Sequence, residues 1–573
     1  MPLAVVGHGG LTSMMNSLWM ERCAAAVLAV SCSWMGAAQA ADAHAQALPR
    51  VQGEVRAQAL AVALELPARQ VVQLRFAGAG LHLDLRDAQG RHLRRLAENG
   101  RGVQTATWFS QGAQKEQLWV TPAGPAAHPL GFDLQVLGSW PSDGAQPLPA
   151  EKALYGPRLL ALQQALARGE GQAATRAFWR EAQARGTPWV EPWQDGKVLV
   201  TFVWRDQGNA NVRLFGHPDG NHNALQRLAG SDVWWTSAVM DPRSRLSYAF
   251  APDVPQLPAA QAAQQRRMVL ATMQRDPLNR QPFPAQPWSG ALDRFQGRSS
   301  LVLAQAPRQP WVAARAGVTR GTLVRHTLDS RILGNQRDVW TYVPAGGDAQ
   351  ALLVLFDAHA YVHDVPTPRI LDNLVADGLL PPVAAVIVGN ASPEARDAEL
   401  PPNPLFARFI AEELMPWARA QGLAQTARRT VVAGSSYGGL VSSYLALTHP
   451  ELFGNVLSLS GSYWWAPAGE TPGWMQRAWQ NLPAPVPAVR FYLDAGWFES
   501  GRGGRAGILE TNRALADILR ARGLAVTQRE NASGHDYLHW QGALGCGLVA
   551  LLAPARYDMQ DARLQGCAGA ARP

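Results

Sequence analysis

The feature that most restricts the fold of this 573-residue chain is the regular alternation of strand-like and helical segments after about residue 318. Short runs of Val, Leu, Ile and Ala, typical of strands buried on both faces, alternate with segments whose apolar residues recur at helical spacing. The predicted strands are 352–356, 383–388, 430–433, 456–459, 489–493 and 526–529, and the predicted helices are 367–377, 404–420, 438–448, 508–522 and 537–552. This alternation predicts an α/β domain over residues 318–573, with a mostly parallel sheet and helices on both faces.

Two stretches before residue 318 differ, because short strand-like runs dominate there. In the first stretch, apolar and polar residues alternate within the runs 60–66, 71–76, 81–85 and 132–136. This pattern predicts a small antiparallel β-sandwich over residues 42–140, followed by a linker and a helical segment over 141–195. Similar runs at 198–204, 212–215, 232–235 and 245–250 predict a second β-sandwich over residues 196–315.

The N-terminus has the composition of a secretory signal peptide, which we place at residues 1–40. Arg22 supplies a positive charge, and the apolar segment Ala24–Trp34 that follows is too short to span a bilayer. Small residues at Ala38 and Ala40 fit a cleavage site; the alternative is a lipoprotein attached through Cys32. We therefore expect a periplasmic or secreted bacterial protein with no membrane span after signal removal.

The formal net charge is +8, and almost all of the positive charge is carried by arginine. One explanation is a genome whose codons favour arginine, alanine and glycine. The other is attraction of an anionic partner by the summed charge of the protein. The arginines are scattered and form no basic run or nucleic-acid-binding motif, so we expect no nucleic-acid partner.

Two of the four cysteines would remain after signal removal, namely Cys546 and Cys567. They lie close together in the sequence, and disulfides persist in oxidising compartments. A disulfide between them would close a short C-terminal loop and hold the tail of the chain. The alternative is two free, buried thiols.

The pentapeptide 434–438, Gly-Ser-Ser-Tyr-Gly, matches the pattern G-x-S-x-G. It follows the predicted strand 430–433 and opens the predicted helix 438–448, which is the strand–turn–helix setting of a nucleophile elbow in α/β-hydrolases. Glycines are needed there because the turn is tight and the helix packs close to the strand. We therefore predict that Ser436 is a catalytic nucleophile.

A serine hydroxyl needs a general base, and in this fold the base follows the acid along the chain. His535 lies just after the last predicted strand and is the predicted base. Glu499 and Asp494 both follow the strand 489–493, and we prefer Glu499 as the acid because it lies further out on the loop. A metal site formed by His535 and His539 is disfavoured, since the intervening glutamate of helical metalloproteases is missing.

An oxyanion hole requires two backbone N–H groups. We expect one from Tyr437, the residue after the nucleophile. The second should come from the loop that follows the strand 352–356, where Ala358, His359 and Ala360 are the candidates.

At these residues the sequence resembles the enterochelin (iron–enterobactin) esterases and, more broadly, esterase D-type α/β-hydrolases. The resemblance extends over about residues 190–560 and includes an Ig-like N-terminal domain. The motifs that carry it are Gly-Ser-Ser-Tyr-Gly-Gly at 434–439, Ser-Gly-Ser-Tyr-Trp-Trp at 460–465, Glu-Leu-Pro-Pro-Asn at 399–403, Gly-His-Asp at 534–536, Asp-Val-Trp at 232–234, Asp-Pro-Arg at 241–243 with Tyr248, and Asp-Pro-Leu-Asn at 276–279.

The resemblance implies a serine esterase that cleaves a catechol-bearing triserine lactone, with ferric iron present only as part of an anionic substrate and no cofactor. Arg396, Trp464 and Trp465 are then candidate substrate-binding residues, with a surface ion pair as the alternative for Arg396. The chain departs from the family in its signal peptide, its additional front sandwich, and Asp-Ala-His at 357–359 where the family commonly has Asp-Gly-Gln. The competing predictions are a carboxylesterase for feruloyl or acetyl sugar esters, and a binding protein on an inactive hydrolase fold.

Overall fold

The computed structural model describes residues 49–98, 103–142, 153–220, 222–285, 295, 297–501 and 504–569. The proposed signal peptide at 1–40, and most of the proline-rich stretch predicted as a linker, lie outside these residues. Within them, no helix is both long enough and apolar enough to cross a membrane.

Residues 50–141 form two antiparallel sheets, which we call the front sheet pair. Its strands are β1 (Arg50–Val55), β2 (Leu60–Val62), β3 (Gln70–Ala77), β4 (Leu81–Asp87), β5 (His92–Ala97), β6 (Val103–Ser110), β7 (Glu116–Pro122) and β8 (Leu130–Pro141). The sheet orders are β1-β8-β3-β6 and β2-β7-β4-β5. Side chains such as Phe76, Leu83 and Trp108 enter one hydrophobic core that both sheets share, because alternate residues of each strand point inward.

Two helices, α1 (Pro157–Ala167) and α2 (Gly171–Arg185), lead into a middle sheet pair over residues 189–302. Its elements are β9 (Trp189–Pro192), β10 (Val198–Arg205), β11 (Val212–Phe215), β12 (Asn223–Ala224), β13 (Gln226–Arg227), β14 (Val233–Met240), β15 (Arg245–Pro252), α3 (Ala262–Thr272), β16 (Pro282–Phe283) and β17 (Arg298–Val302). The sheet orders are β13-β14-β10-β9 and β12-β11-β15-β17-β16. Both sheets contribute to a core that contains Phe202, Trp234 and Tyr248.

The front and middle sheet pairs are packed against each other. Val71, Phe109 and Trp140 of the front pair contact an apolar cluster that includes Phe215 and Met268 of the middle pair. The two pairs are therefore joined through a continuous apolar contact.

The C-terminal region forms a larger sheet. Its strands are β18 (Thr322–Ser330), β19 (Asn335–Val343), β20 (Ala351–Phe356), β21 (Val383–Val388), β22 (Thr430–Ser435), β23 (Asn455–Leu459), β24 (Arg490–Gly496) and β25 (Ala525–Asn531). Their order is β18-β19-β21-β20-β22-β23-β24-β25. The pairings of β18 with β19 and of β19 with β21 are antiparallel, whereas the others are parallel.

Helices cover both faces of this sheet. They are α4 (Thr367–Ala376), α5 (Pro393–Glu399), α6 (Pro404–Arg408), α7 (Met415–Ala420), α8 (Tyr437–Thr448), α9 (Trp474–Gln480), α10 (Ile508–Ala521) and α11 (Tyr537–Leu552). Leu352, Val354 and Phe356 point into one core cluster, while Leu353 and Leu355 point into the cluster on the other face. The strands are apolar along their whole length because both faces are covered.

Several observed elements differ from the sequence predictions. The strand predicted at 60–66 ends at Val62, and the antiparallel pair β18–β19 was not predicted, since its polar side chains are half exposed at the sheet edge. The helix predicted at 404–420 is interrupted by a π-helical segment, Phe409–Leu414. Pro416 explains this interruption, because it has no N–H to donate to the carbonyl four residues earlier.

Candidate active site

Ser436 lies at a sharp turn between β22 and α8. Its backbone has φ of 59° and ψ of −119°, a positive-φ conformation that is rare outside glycine. Such a conformation costs about 1–3 kcal/mol and persists only where the surrounding structure enforces it. The turn lies at the carboxyl end of the central strand β22, which pairs in parallel with β20 and β23. This is the geometry of a nucleophile elbow.

The glycines around Ser436 allow the helix to approach the strands closely. A Cβ atom at Gly434 would lie 2.6 Å from the carbonyl carbon of Gly438. A Cβ atom at Gly439 would lie 2.5 Å from Ser458 Oγ and 3.0 Å from Gly461 Cα. Any larger residue at these two positions would therefore push α8 away from the sheet.

His535 is paired with Glu499. The distance from His535 Nδ1 to Glu499 Oε1 is 2.7 Å, and the exposed fractions of the two side chains are 41% and 3%. Glu499 follows β24 and His535 follows β25, so the parallel sheet brings both residues to the same edge as Ser436. A buried carboxylate at Nδ1 leaves Nε2 available as the basic nitrogen.

Glu499 is held by further hydrogen bonds. Its Oε2 accepts from the Ser460 hydroxyl and from the Gly496 backbone N–H, each at 2.7 Å. Ser460 Oγ in turn accepts from Trp540 Nε1 at 3.0 Å, and the edge of the Trp540 ring packs against His535. These contacts fix the carboxylate that orients the histidine. The sequence analysis assigned no role to Ser460, although its motif was visible at 460–465.

Asp494, the alternative acid, is paired with a different histidine. Its Oδ1 lies 2.8 Å from His539 Nε2, and its Oδ2 accepts from Asn531 Nδ2 at 2.8 Å. His535 and His539 therefore have separate carboxylate partners. This arrangement favours Glu499 as the acid for His535.

The oxyanion candidates lie in a segment that begins with Asp357, whose φ of 62° reverses the chain after β20. The Ala360 N–H donates to the Asp357 carbonyl at 3.0 Å, so Ala360 is a poor donor for an oxyanion. Ala358 and His359 precede it in the first turn, where N–H groups have no partner within the helix. Tyr437 occupies the same kind of position at the start of α8.

Arg396 forms a bidentate ion pair with Asp357. The Nε–Oδ1 and Nη2–Oδ2 distances are 2.7 and 2.8 Å, and Asn390 also donates to Oδ1. Burial lowers the pKa of Arg396, but the bonded Asp357 carboxylate outweighs that effect and raises it. The Arg396 guanidinium is thus already bonded to Asp357 at the start of the oxyanion segment. This favours the ion-pair alternative over a direct substrate contact.

The two candidate tryptophans have different surroundings. Trp464 is 41% exposed, with its ring centroid 6.1 Å from that of Tyr437. Trp465 packs instead against Trp474 and the core. Trp464 is therefore the one that presents an exposed aromatic surface beside Tyr437, the residue after Ser436.

Ser462 is a further neighbour of the nucleophile that the sequence analysis did not single out. Its hydroxyl lies 3.3 Å from Ser436 Oγ, and its N–H donates to the Ser436 carbonyl at 3.1 Å. Among the described contacts, the Ser436 hydroxyl bonds to Ser462 and not to His535. Such catalytic hydrogen bonds are often formed only when substrate is bound.

Two family models match the chain. The model described as "Enterochelin esterase, N-terminal" matches residues 199–312, and the model described as "Putative esterase" matches residues 330–551. The iron(III) enterobactin esterase of Dickeya dadantii (strain 3937) is 32% identical over 420 residues, which cover 66% of this chain and 94% of that protein. The chain belongs to the enterochelin esterase family.

Other relatives agree with this placement. The iron(III) enterobactin esterase of Escherichia coli (strain K12) is 31% identical over 414 residues, covering 68% of this enterochelin esterase and 98% of that protein. The crystal structure of the Shigella flexneri enterobactin esterase in the presence of enterobactin is 30% identical, with a TM-score of 0.55. It covers 67% of this chain and 100% of the Shigella chain. The protein is therefore a carboxylic ester hydrolase with an α/β-hydrolase-like catalytic region.

The front sheet pair of this enterochelin esterase lies outside both matched regions. An acidic residue just after one of its strands interacts electrostatically with the oxyanion segment. Burial raises the pKa of Glu98, which follows β5, while the charges of Arg95, His359 and Arg325 oppose that shift. Arg94 also donates to the carbonyl of Ala271 in the middle sheet pair at 2.7 Å. Glu98 of the front sheet pair thus lies near His359 of the oxyanion segment.

Cys546 and Cys567 of the esterase are joined by a disulfide, which connects α11 to the C-terminal tail. The described residues contain no group of three or more His, Cys, Asp or Glu side chains arranged to hold a metal ion.

Proposed function

We propose that this protein is a serine esterase that hydrolyses the ester bonds of a ferric catecholate siderophore such as iron(III) enterobactin. The observation that carries the proposal is the placement of Ser436 at a strained elbow, on the same sheet edge as the His535–Glu499 pair. The relatives named for iron(III) enterobactin support the substrate class.

In the proposed mechanism, His535 takes the proton of the Ser436 hydroxyl as the oxygen attacks an ester carbonyl. The Tyr437 N–H and an N–H of Ala358 or His359 stabilise the oxyanion of the tetrahedral intermediate. The intermediate collapses to an acyl-enzyme as the ester C–O bond breaks and His535 gives the proton to the leaving alkoxide oxygen, which departs as an alcohol. Water activated by His535 then releases the acid, and Glu499 stabilises the imidazolium in both steps.

Arg396 and Trp464 have supporting roles in this proposal. Arg396 holds Asp357, and with it the strained start of the oxyanion segment, at the end of β20. Trp464 offers an exposed aromatic face for a catechol ring beside Tyr437. Trp465 packs against Trp474 on the core side and has no direct role in this proposal.

We also propose that the protein acts in the periplasm or outside the cell. We further propose that it consists of two β-sandwiches followed by an α/β-hydrolase domain. The disulfide between Cys546 and Cys567 fits an oxidising compartment, as does the signal-like segment at 1–40. Each sheet pair has its own core, to which both of its sheets contribute, and this fits the two-sandwich description. The front sandwich would form part of the rim of the substrate site.

The proposal is tested by incubating the chain from Ala41 with iron(III) enterobactin and separating the products by liquid chromatography and mass spectrometry. We expect linear products built of 2,3-dihydroxybenzoylserine from the wild type and intact substrate with Ser436→Ala. A simple aryl ester and a feruloyl ester serve as comparison substrates. Intact iron(III) enterobactin beside rapid feruloyl ester cleavage would replace the siderophore proposal with the carboxylesterase alternative.

A further inference from the structure

Three arginines converge on one aromatic pair in the middle sheet pair. The guanidinium carbons of Arg298 and Arg266 lie 4.6 and 5.8 Å from the ring centroid of Phe215. The His222 ring stacks on Phe215 at 5.0 Å and 15°. Arg213 Nη1 donates to the His222 carbonyl at 3.2 Å, and a second amino group of Arg213 donates to Gln256. We call these five residues, Arg213, Phe215, His222, Arg266 and Arg298, the arginine cluster.

Among the described residues, none of these three arginines forms a salt bridge. Other basic residues of the same region are paired with aspartates at 2.8–3.1 Å, namely Arg205 with Asp232, Arg227 with Asp206, and Arg243 and Lys197 with Asp241. Within the part of the chain that the structure describes, the arginine cluster is therefore a concentration of positive charge with no carboxylate at salt-bridge distance. Such a concentration attracts an anion.

The titration of the cluster's members reflects this excess of positive charge. Burial lowers the pKa of Arg266, and the charge of Arg298 lowers it further. Burial also lowers the pKa of His222 to about 4, with contributions from all three arginines, so His222 is neutral at pH 7. The charge of Arg298 also acts on Asp364 in the C-terminal region. Burial raises the pKa of Asp364, and the charges of His359 and Arg298 partly oppose that shift.

The arginine cluster adjoins the candidate active site. Arg298 Nη1 donates to Ser247 Oγ at 3.4 Å, and Ser247 Oγ donates to Asp536 Oδ1 at 2.8 Å. Asp536 directly follows His535 in the chain, so two hydrogen bonds connect Arg298 to the neighbour of the proposed base. Asp364 lies five residues after His359 of the oxyanion segment. The cluster therefore borders the region between the base and the oxyanion candidates.

We propose that Arg266 and Arg298 bind the anionic catecholate part of the substrate while one of its ester bonds lies at Ser436. Phe215 supports the Arg298 guanidinium, and Arg213 holds the His222 segment and adds positive charge. Catecholate oxygens accept hydrogen bonds from guanidinium groups, and aromatic rings stack on their planes. This inference rests on the proposed function and names a binding subsite for it.

The test uses the Ser436→Ala chain as a non-hydrolysing parent and measures its Kd for iron(III) enterobactin by quenching of tryptophan fluorescence. Arg266→Gln and Arg298→Gln are each compared with Arg267→Gln, which removes a neighbouring exposed arginine of α3 that bonds only to Gln264 among the described contacts. We expect each cluster variant to raise Kd by about tenfold, with a smaller difference at high salt. Arg267→Gln should stay within about twofold of the parent by the same charge-screening argument.

Two further measurements separate the possible failures. Arg298→Lys retains the charge, so it should recover part of the lost affinity while its thermal unfolding matches that of the parent. Kd values of Arg266→Gln and Arg298→Gln equal to that of the parent, or an equal loss in Arg267→Gln, would overturn the subsite. If the wild type cleaves iron(III) enterobactin under those circumstances, the proposed function survives. If the wild type neither binds nor cleaves it, the proposed function and this subsite both fail.

Discussion

The carboxylate of Asp536 accepts hydrogen bonds from both the backbone N–H and the hydroxyl of Ser247, a residue 289 positions earlier in the chain. The Arg245 N–H also donates to the Ala532 carbonyl at 3.1 Å. Strand β15 of the middle sheet pair is therefore hydrogen-bonded to the loop both before and after His535. The loop that carries Glu499 is held similarly, because Phe498 packs against the core of the middle sheet pair. The middle sheet pair thus contacts the loops that carry the proposed base and the proposed acid.

The first prediction concerns this contact. Ser247→Ala removes one hydrogen bond to Asp536 but leaves the backbone N–H in place, so we expect the His535 loop to loosen without unfolding. A hydrogen bond to a charged group contributes about 1.5–3 kcal/mol to stability, and because only part of that loss reaches the transition state, kcat for a neutral aryl ester should fall by up to about tenfold. Ser244→Ala is the matched control, since its buried hydroxyl has no partner among the described residues. Equal kcat values for the two variants would contradict the positioning role.

The second prediction concerns the nucleophile. Ser436→Ala should lower kcat by a factor on the order of 10⁴ or more, because the acyl-enzyme cannot form. Ser435→Ala removes the neighbouring hydroxyl, which is buried inside β22. Its kcat should stay within about threefold of the wild type, as expected for a residue outside the reacting unit. Mass spectrometry of the protein after a short exposure to an aryl ester should detect the acyl group only where Ser436 is intact.

The third prediction separates the two carboxylates. Glu499→Gln retains the shape of the side chain but loses the charge that orients His535, so kcat should fall by about 10²–10⁴. Asp494→Asn instead affects the buried pair with His539. It should lower the free energy of unfolding by about 3 kcal/mol, as when one partner of a buried pair is removed. Chemical unfolding and steady-state kinetics of both variants provide the measurement. A larger kcat loss in Asp494→Asn than in Glu499→Gln would reverse the assignment.

The contrast between these residues shows what the sequence could and could not predict. The parallel strands were predictable because strands covered on both faces are continuous apolar runs, as at Val383–Val388. The edge strand β18 and its antiparallel neighbour β19 lack that signal. Ser436 and His535 were identifiable because their chemistry has local patterns. Asp494 lies near the end of β24 and Glu499 just after it, so only their contacts in three dimensions distinguish them. The contact of Ser247 with Asp536 has no local pattern.

The last prediction concerns the disulfide between Cys546 and Cys567, which are separated by 21 positions. In the chain-entropy model, a loop of this length stabilises the folded state by about 3 kcal/mol, because the cross-link restricts the unfolded chain. Cys546 lies within α11, and the Cys567 carbonyl accepts a hydrogen bond from Arg529 Nε of β25 at 3.0 Å. The double variant Cys546→Ala/Cys567→Ala should therefore unfold at a lower urea concentration than the oxidised wild type. Its m-value should be no smaller than that of the wild type, as expected for a protein that is still fully folded without urea. Wild-type protein treated with a reducing agent should behave like the double variant. Identical urea midpoints for oxidised and reduced wild type would show that the bond does not contribute to stability.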